Sequence, residues 1–107
     1  MSERGWFVLQ HTPGPAVPDG GSLFAHPGFA EHVAFLRRRA DDGSLVAAGP
    51  LPDADGEGMT VLRAASLEEA RRLAEEDDVA VASGVLRVRV RPWQVLMSPL
   101  VTPDSAG

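Results

Sequence analysis

Residues 58–70 read GMTVLRAASLEEA, and they change register part-way through. Residues 59–64 are an apolar run with Thr60, Val61 and Leu62 at its centre, the composition of a strand. Ser66-Leu67-Glu68-Glu69 then forms a capping box, in which a serine hydroxyl and a glutamate three residues on satisfy exposed amides at a helix start. Leu67, Ala70, Leu73 and Ala74 supply the buried side of that helix, which the sequence ends near Glu76, before Asp77-Asp78.

Further along, residues 84–96 alternate with period two: Leu86, Val88 and Val90 between Arg87, Arg89 and Arg91. One face of this strand belongs to a core, and the arginine face either meets water or meets acids of a partner chain. Toward the N-terminus, residues 45–49 form a short strand that runs into Pro50-Leu51-Pro52 and an acidic turn at 53–58. Residues 27–42 read as a helix, with Pro27 in the first turn and Gly43 just past the end. Phe29, Val33, Leu36 and Ala40 form its apolar stripe, and Arg37, Arg38 and Arg39 lie where cations complement the helix dipole. The first strand, residues 5–11 (GWFVLQH), is apolar on both faces and so belongs in the middle of a covered sheet. Between it and the first helix lies a turn-rich stretch, 12–22, with three prolines and three glycines. It is either a lid or a plain surface loop.

The order is therefore β-α-β-β-α-β, the ferredoxin-like arrangement of an α+β fold. It predicts a four-stranded antiparallel sheet with two helices on one face. The domain is expected to span residues 1–97, with 98–107 a flexible tail. The apolar opposite face calls for cover, and a second copy of the chain, a homodimer, is the simplest cover.

Composition excludes several functions. The chain has 107 residues, 44% hydrophobic and 23% charged, which suits one globular core. Its net charge is −5, and its ten cations are all arginine, so neither nucleic acid nor an anionic membrane is an expected partner. No run approaches the roughly 20 apolar residues of a membrane span, and no secretory leader is visible. Without cysteine there is no disulfide and no thiolate ligand, which fits a cytoplasmic protein. His26 and His32, six apart, match no metal-ligand spacing, so neither metal nor cofactor is expected.

These segments, in this order, resemble the YCII-related family of the dimeric α+β barrel superfamily. The matching pieces are HTPGP at 11–15, PGFAEHVAFL at 27–36, GSL and AAGP between 43 and 50, GMTVLRAASLEEA at 58–70, and DVAVASGVLRVRVRPW at 78–93. The resemblance implies a dimer and a site built on a histidine of the first helix and an aspartate after the second, here His32 and Asp78. Asp77 adjoins the latter, and the six-residue step to Gly84 favours Asp78. The family's aspartate is usually followed by proline, where this chain has Val79. Some members carry an arginine one turn before the histidine, where this chain has Phe29.

An imidazole oriented by a carboxylate can take and return protons near neutral pH. His32 and Asp78 are thus the expected catalytic pair of a cofactor-independent enzyme acting on a small, aromatic or anionic, organic molecule. Isomerisation or elimination would suit the pair. Plainer readings stand beside this one: a packed histidine at the core edge, an aspartate that caps a turn, or a domain that binds a small molecule, or merely pairs, without turnover. Gly49, Pro50, Met59 and His11 are expected to border the ligand, with a plain surface residue at a strand end the alternative reading of His11. His26 reads as a cap or an exposed residue.

Overall fold

A computed structural model describes residues 5–100. Strand β1 (Gly5–Pro13) is central, hydrogen-bonded antiparallel to β3 (Gly58–Ala64) on one side and β4 (Leu86–Trp93) on the other. Strand β2 (Leu45–Pro50) pairs antiparallel with β3, giving the order β2-β3-β1-β4. This is the α+β, ferredoxin-like fold that the element order predicts.

Alternation along β1 decides which face carries the helices. Phe7 and Leu9 point inward with Leu62 and Ala64 of β3. Against them pack Phe35 of helix α1 (Phe29–Asp41) and Ala70 of helix α2 (Leu67–Arg72), with Leu73 and Ala74 just beyond it. Both helices therefore share one face. On the other face lie Trp6, Val8 and Gln10, cross-strand from Trp93, Arg91 and Arg89. The two indoles meet edge-on at 6.1 Å, and the Arg63 guanidinium sits 5.4 Å from the Trp6 ring.

Helix ends follow the sequence signals with small shifts. Past α1, the amide of Gly43 bonds to the carbonyl of Ala40 and that of Ser44 to Arg39, a Schellman closure. It needs the positive φ of +80° that Gly43 adopts. At α2 the Ser66 hydroxyl accepts from the Glu69 amide at 3.0 Å, while the Glu69 carboxylate accepts from Ala65, one residue before the usual box position. Helix α1 starts at Phe29, later than expected, because His26 Nδ1 accepts the Gly28 amide at 2.9 Å and leaves Pro27 outside the helix. The residue at the N-cap position is Gly28 rather than His26, whose ring closes a local turn ahead of the helix.

Two departures bear on the site. The inward line of α1 runs through His32 and Phe35, whereas the stripe Phe29-Val33-Leu36-Ala40 only flanks it, and Ala40 is exposed. The expected stripe lies about one position off the buried line, which runs through the fully buried Phe35. The second helix also does not simply stop: residues Leu73–Asp77 widen into a π turn, and a single-turn helix α3 (Val79–Ala82) follows. A smaller cluster, with Ala80, Val85 and Leu86, holds Leu23 of the long connection against α3 and β4.

Candidate active site

Asp78 is delivered by the π turn. Its amide bonds back to the Leu73 carbonyl at 3.1 Å, five residues earlier, so the chain gains one residue within the turn. Asp77 consequently faces outward, where the Arg38 guanidinium donates to its carbonyl at 2.8 Å and lies 3.3 Å from its carboxylate. Asp78 turns inward and is fully buried. One carboxylate oxygen accepts the Ala80 amide at 3.1 Å and so starts α3; the other lies 2.7 Å from Nδ1 of His32. The two neighbouring aspartates thus divide the work, and it is Asp78 that meets His32.

His32 is 8% exposed and packed in rings: Phe35 stacks at 6.2 Å, Phe29 lies at 5.7 Å and His11 at 4.7 Å. A carboxylate can only accept from a neutral imidazole, so Nδ1 carries the proton in that form and Nε2, across the ring, holds the lone pair. His32 lines an apolar cavity of about 120 Å³ between α1 and the sheet; Asp78 does not, standing behind the ring. His11, Gly49, Pro50 and Met59, the expected ligand contacts, all line this cavity too. Sequence reasoning missed its aromatic wall, Phe24 and Phe29, whose rings meet edge-on at 5.2 Å. The signal was present as the apolar pair Leu23-Phe24 between the turn-rich stretch and α1.

His11 is the least expected feature. It lines the cavity but is no surface histidine: it is 3% exposed, and neither ring nitrogen has a hydrogen-bond partner among the described residues. Burial, and secondarily the charge of His32, push its imidazole down to about 3 from the usual 6.5, so it stays neutral at physiological pH. His11, His32 and Asp78 place ligand-type atoms within 4.8 Å of one another, a grouping that linear spacing could not reveal because it joins a strand, a helix and a turn. A cation held by all three would have to replace the His32–Asp78 hydrogen bond if it took those two facing atoms.

The chain matches the YCII-related domain over residues 25–94. It belongs to that family. No curated protein matches it. Among solved structures it is similar to TftG, a 5-chloro-2-hydroxyhydroquinone dehydrochlorinase from Burkholderia phenoliruptrix AC1100, in complex with 2,5-dihydroxybenzoquinone. The TM-score is 0.61 at 18% identity, covering 83% of this chain and 93% of that one. At that identity the likeness concerns the fold. No helix among the described residues is long and apolar enough to cross a membrane.

Proposed function

We propose that this protein is a cofactor-independent acid–base enzyme in which His32, oriented by Asp78, moves a proton on a small ring compound held in the cavity. The observation that carries this reading is the buried 2.7 Å contact between His32 Nδ1 and Asp78 beside an open, ring-walled cavity. Nε2 takes a proton from a C–H or O–H of the ligand, and the carboxylate stabilises the imidazolium that forms. Returning the proton to another atom of the same molecule completes an isomerisation. Departure of an anionic leaving group with its bonding electron pair, followed by release of the proton, completes an elimination. The dehydrochlorinase with the similar fold performs a reaction named for loss of HCl, which supports the elimination reading. His11, Gly49, Pro50 and Met59 position the ligand.

Screening substituted hydroquinones and enols for turnover tests the proposal. His32→Gln should abolish activity, and Asp78→Asn should lower it by about 10²–10⁴-fold while shifting the His32 tautomer seen in ¹⁵N spectra. Ligand binding without turnover across the screen, or an Asp78→Asn enzyme as active as wild type, would sink the catalytic reading. We further propose that the sheet face bearing Trp6, Val8 and Trp93 pairs with a second copy, and that the cysteine-free chain works in the cytoplasm.

A further inference from the structure

The sheet face away from the helices has two unlike edges. Residues directly opposite on neighbouring strands share a face, so one row across it, from β2 to β4, runs Gly49–Met59–Gln10–Arg89. The next row starts at Ala47 and ends at Arg91. The β4 edge is therefore cationic, while the β2 edge is small and uncharged. No acid stands on this face of the four strands, in a chain whose net charge is −5. The nearest acids follow β2, in the turn at 53–57, which leads into β3 at Gly58.

Two charged groups near these edges lack partners. Glu57 is half-buried in the wall of the apolar cavity, and its carboxylate has no cation within ion-pair distance among the described residues. A carboxylate set against an apolar wall gains from a cation that shields it. Arg89 is exposed and equally unpaired among the described residues. Its neighbours on β4 are less suited to a distant acid. Arg87 already borders a polar hollow with Asp19 and Asp55 of its own chain, and Arg91 lies one row farther from the turn.

Two copies whose sheets pack aligned through this face can be related by a two-fold axis across the strands or along them. An axis across the strands lays β4 on the partner's β4. Arginine then meets arginine with no acid at hand, which like-charge repulsion disfavours. An axis along the strands lays the partner's β4 over β2 at the same level. The partner's Arg89 then comes over Gly49, where the space beside the backbone is open, next to the turn that carries Glu57. Packed sheets stand roughly 10 Å apart, a gap that an arginine and a glutamate reaching toward each other bridge.

We infer that the partner's Arg89 crosses the interface to pair with Glu57 at the rim of the cavity, so that each copy completes the other's site. This rests on the proposed pairing of the sheet faces and not on the chemistry assigned to His32.

The test follows dimer dissociation of the full chain by sedimentation. Arg89→Glu and Glu57→Arg each set like charges face to face, and each should weaken the dimer at least about tenfold. Both changes in one chain restore an opposite pair and should return the dimer to within about threefold of wild type. Single changes without effect, or a doubly changed chain as weak as the two losses added, overturn the inference and leave the pairing of the faces standing. A monomeric wild type overturns both. The chain has no cysteine, so crosslinking gives a second reading that does not depend on charge. A mixture of Arg89→Cys and Glu57→Cys chains should couple position 89 to position 57 through a short bismaleimide, and Arg89→Cys chains alone should not couple. Coupling of position 89 to itself would place the axis across the strands and refute the inference.

Discussion

Replacing His11 with leucine, similar in volume, removes the imidazole without opening a large hole, and pH then reports what the imidazole costs. Above pH 6.5 His11 is neutral whether the chain is folded or not, so its titration adds nothing. Between 6.5 and about 3 the unfolded chain binds a proton that the folded chain refuses. Folding therefore weakens as pH falls through this window, by ~1.4 kcal/mol per pH unit for this one group. By pH 4.5 the wild type should have lost roughly 2–3 kcal/mol that the leucine variant keeps.

Ionisable groups common to both proteins cancel in the difference. At neutral pH the variant should be at least as stable as wild type. The two unpaired nitrogens of His11 are a liability of order ~1–3 kcal/mol that leucine does not carry. The assay is urea unfolding of both proteins at pH 7 and pH 4.5, at one protein concentration so that any self-association stays matched. Stability curves that run parallel between these two pH values would refute the argument, because His11 would then titrate in the folded protein much as it does in the unfolded chain. A gain in stability paired with loss of ligand binding would mark His11 as a residue kept for binding at the expense of folding.

Two further outcomes are expected. Ser66→Ala should cost about 0.5–2 kcal/mol in unfolding experiments by removing the cap on α2, without changing the affinity of any cavity ligand. For the pairing face, the wild-type chain should scatter light as a dimer at micromolar concentration, burying more than ~1,000 Å² in total; Val8→Glu, cross-strand from Arg91, should give a folded monomer, and a monomeric wild type would count against the pairing.

The fold was legible because its signals are local. The capping box at 66–69, the arginine–valine alternation of 87–91 and the glycine after Asp42 each fix an element from a few neighbouring side chains. The site was legible only in part. His32 could be found as a histidine near an apolar stripe, yet the true inward line of α1 depends on what Phe35 packs against, which lies on other elements. The π turn has no local sequence signature; the step to Gly84 favours Asp78 over Asp77, but the physical reason it turns inward lies in the fold. The sequence ends the first strand at His11, where exposure is the ordinary expectation, but β1 runs on to Pro13 and the His32 ring of α1 packs against His11 at 4.7 Å. Pairs that form across tens of residues, such as the one between positions 32 and 78, leave no trace in spacing.

Asp78 also removes a contest that the sequence posed between a capping role and a functional one. Its two oxygens do both: one holds the Ala80 amide and begins α3, the other holds His32. The π turn is what makes this possible. A regular α-helical continuation would bond the Asp78 amide to Ala74, four residues back; the observed bond to Leu73 adds a residue to the turn and so shifts the direction in which position 78 points. Alanine at 78 would therefore be a poor probe, since it would free α3 and His32 together and leave Ala80 in the core with an unpaired amide. Asparagine keeps an oxygen for that amide and changes chiefly what faces Nδ1. It replaces a charged acceptor with a neutral amide that cannot stabilise an imidazolium as a carboxylate does. A large fall in turnover with little change in folding for Asp78→Asn thus assigns the loss to the His32 contact, whereas equal losses in both would return Asp78 to a structural cap.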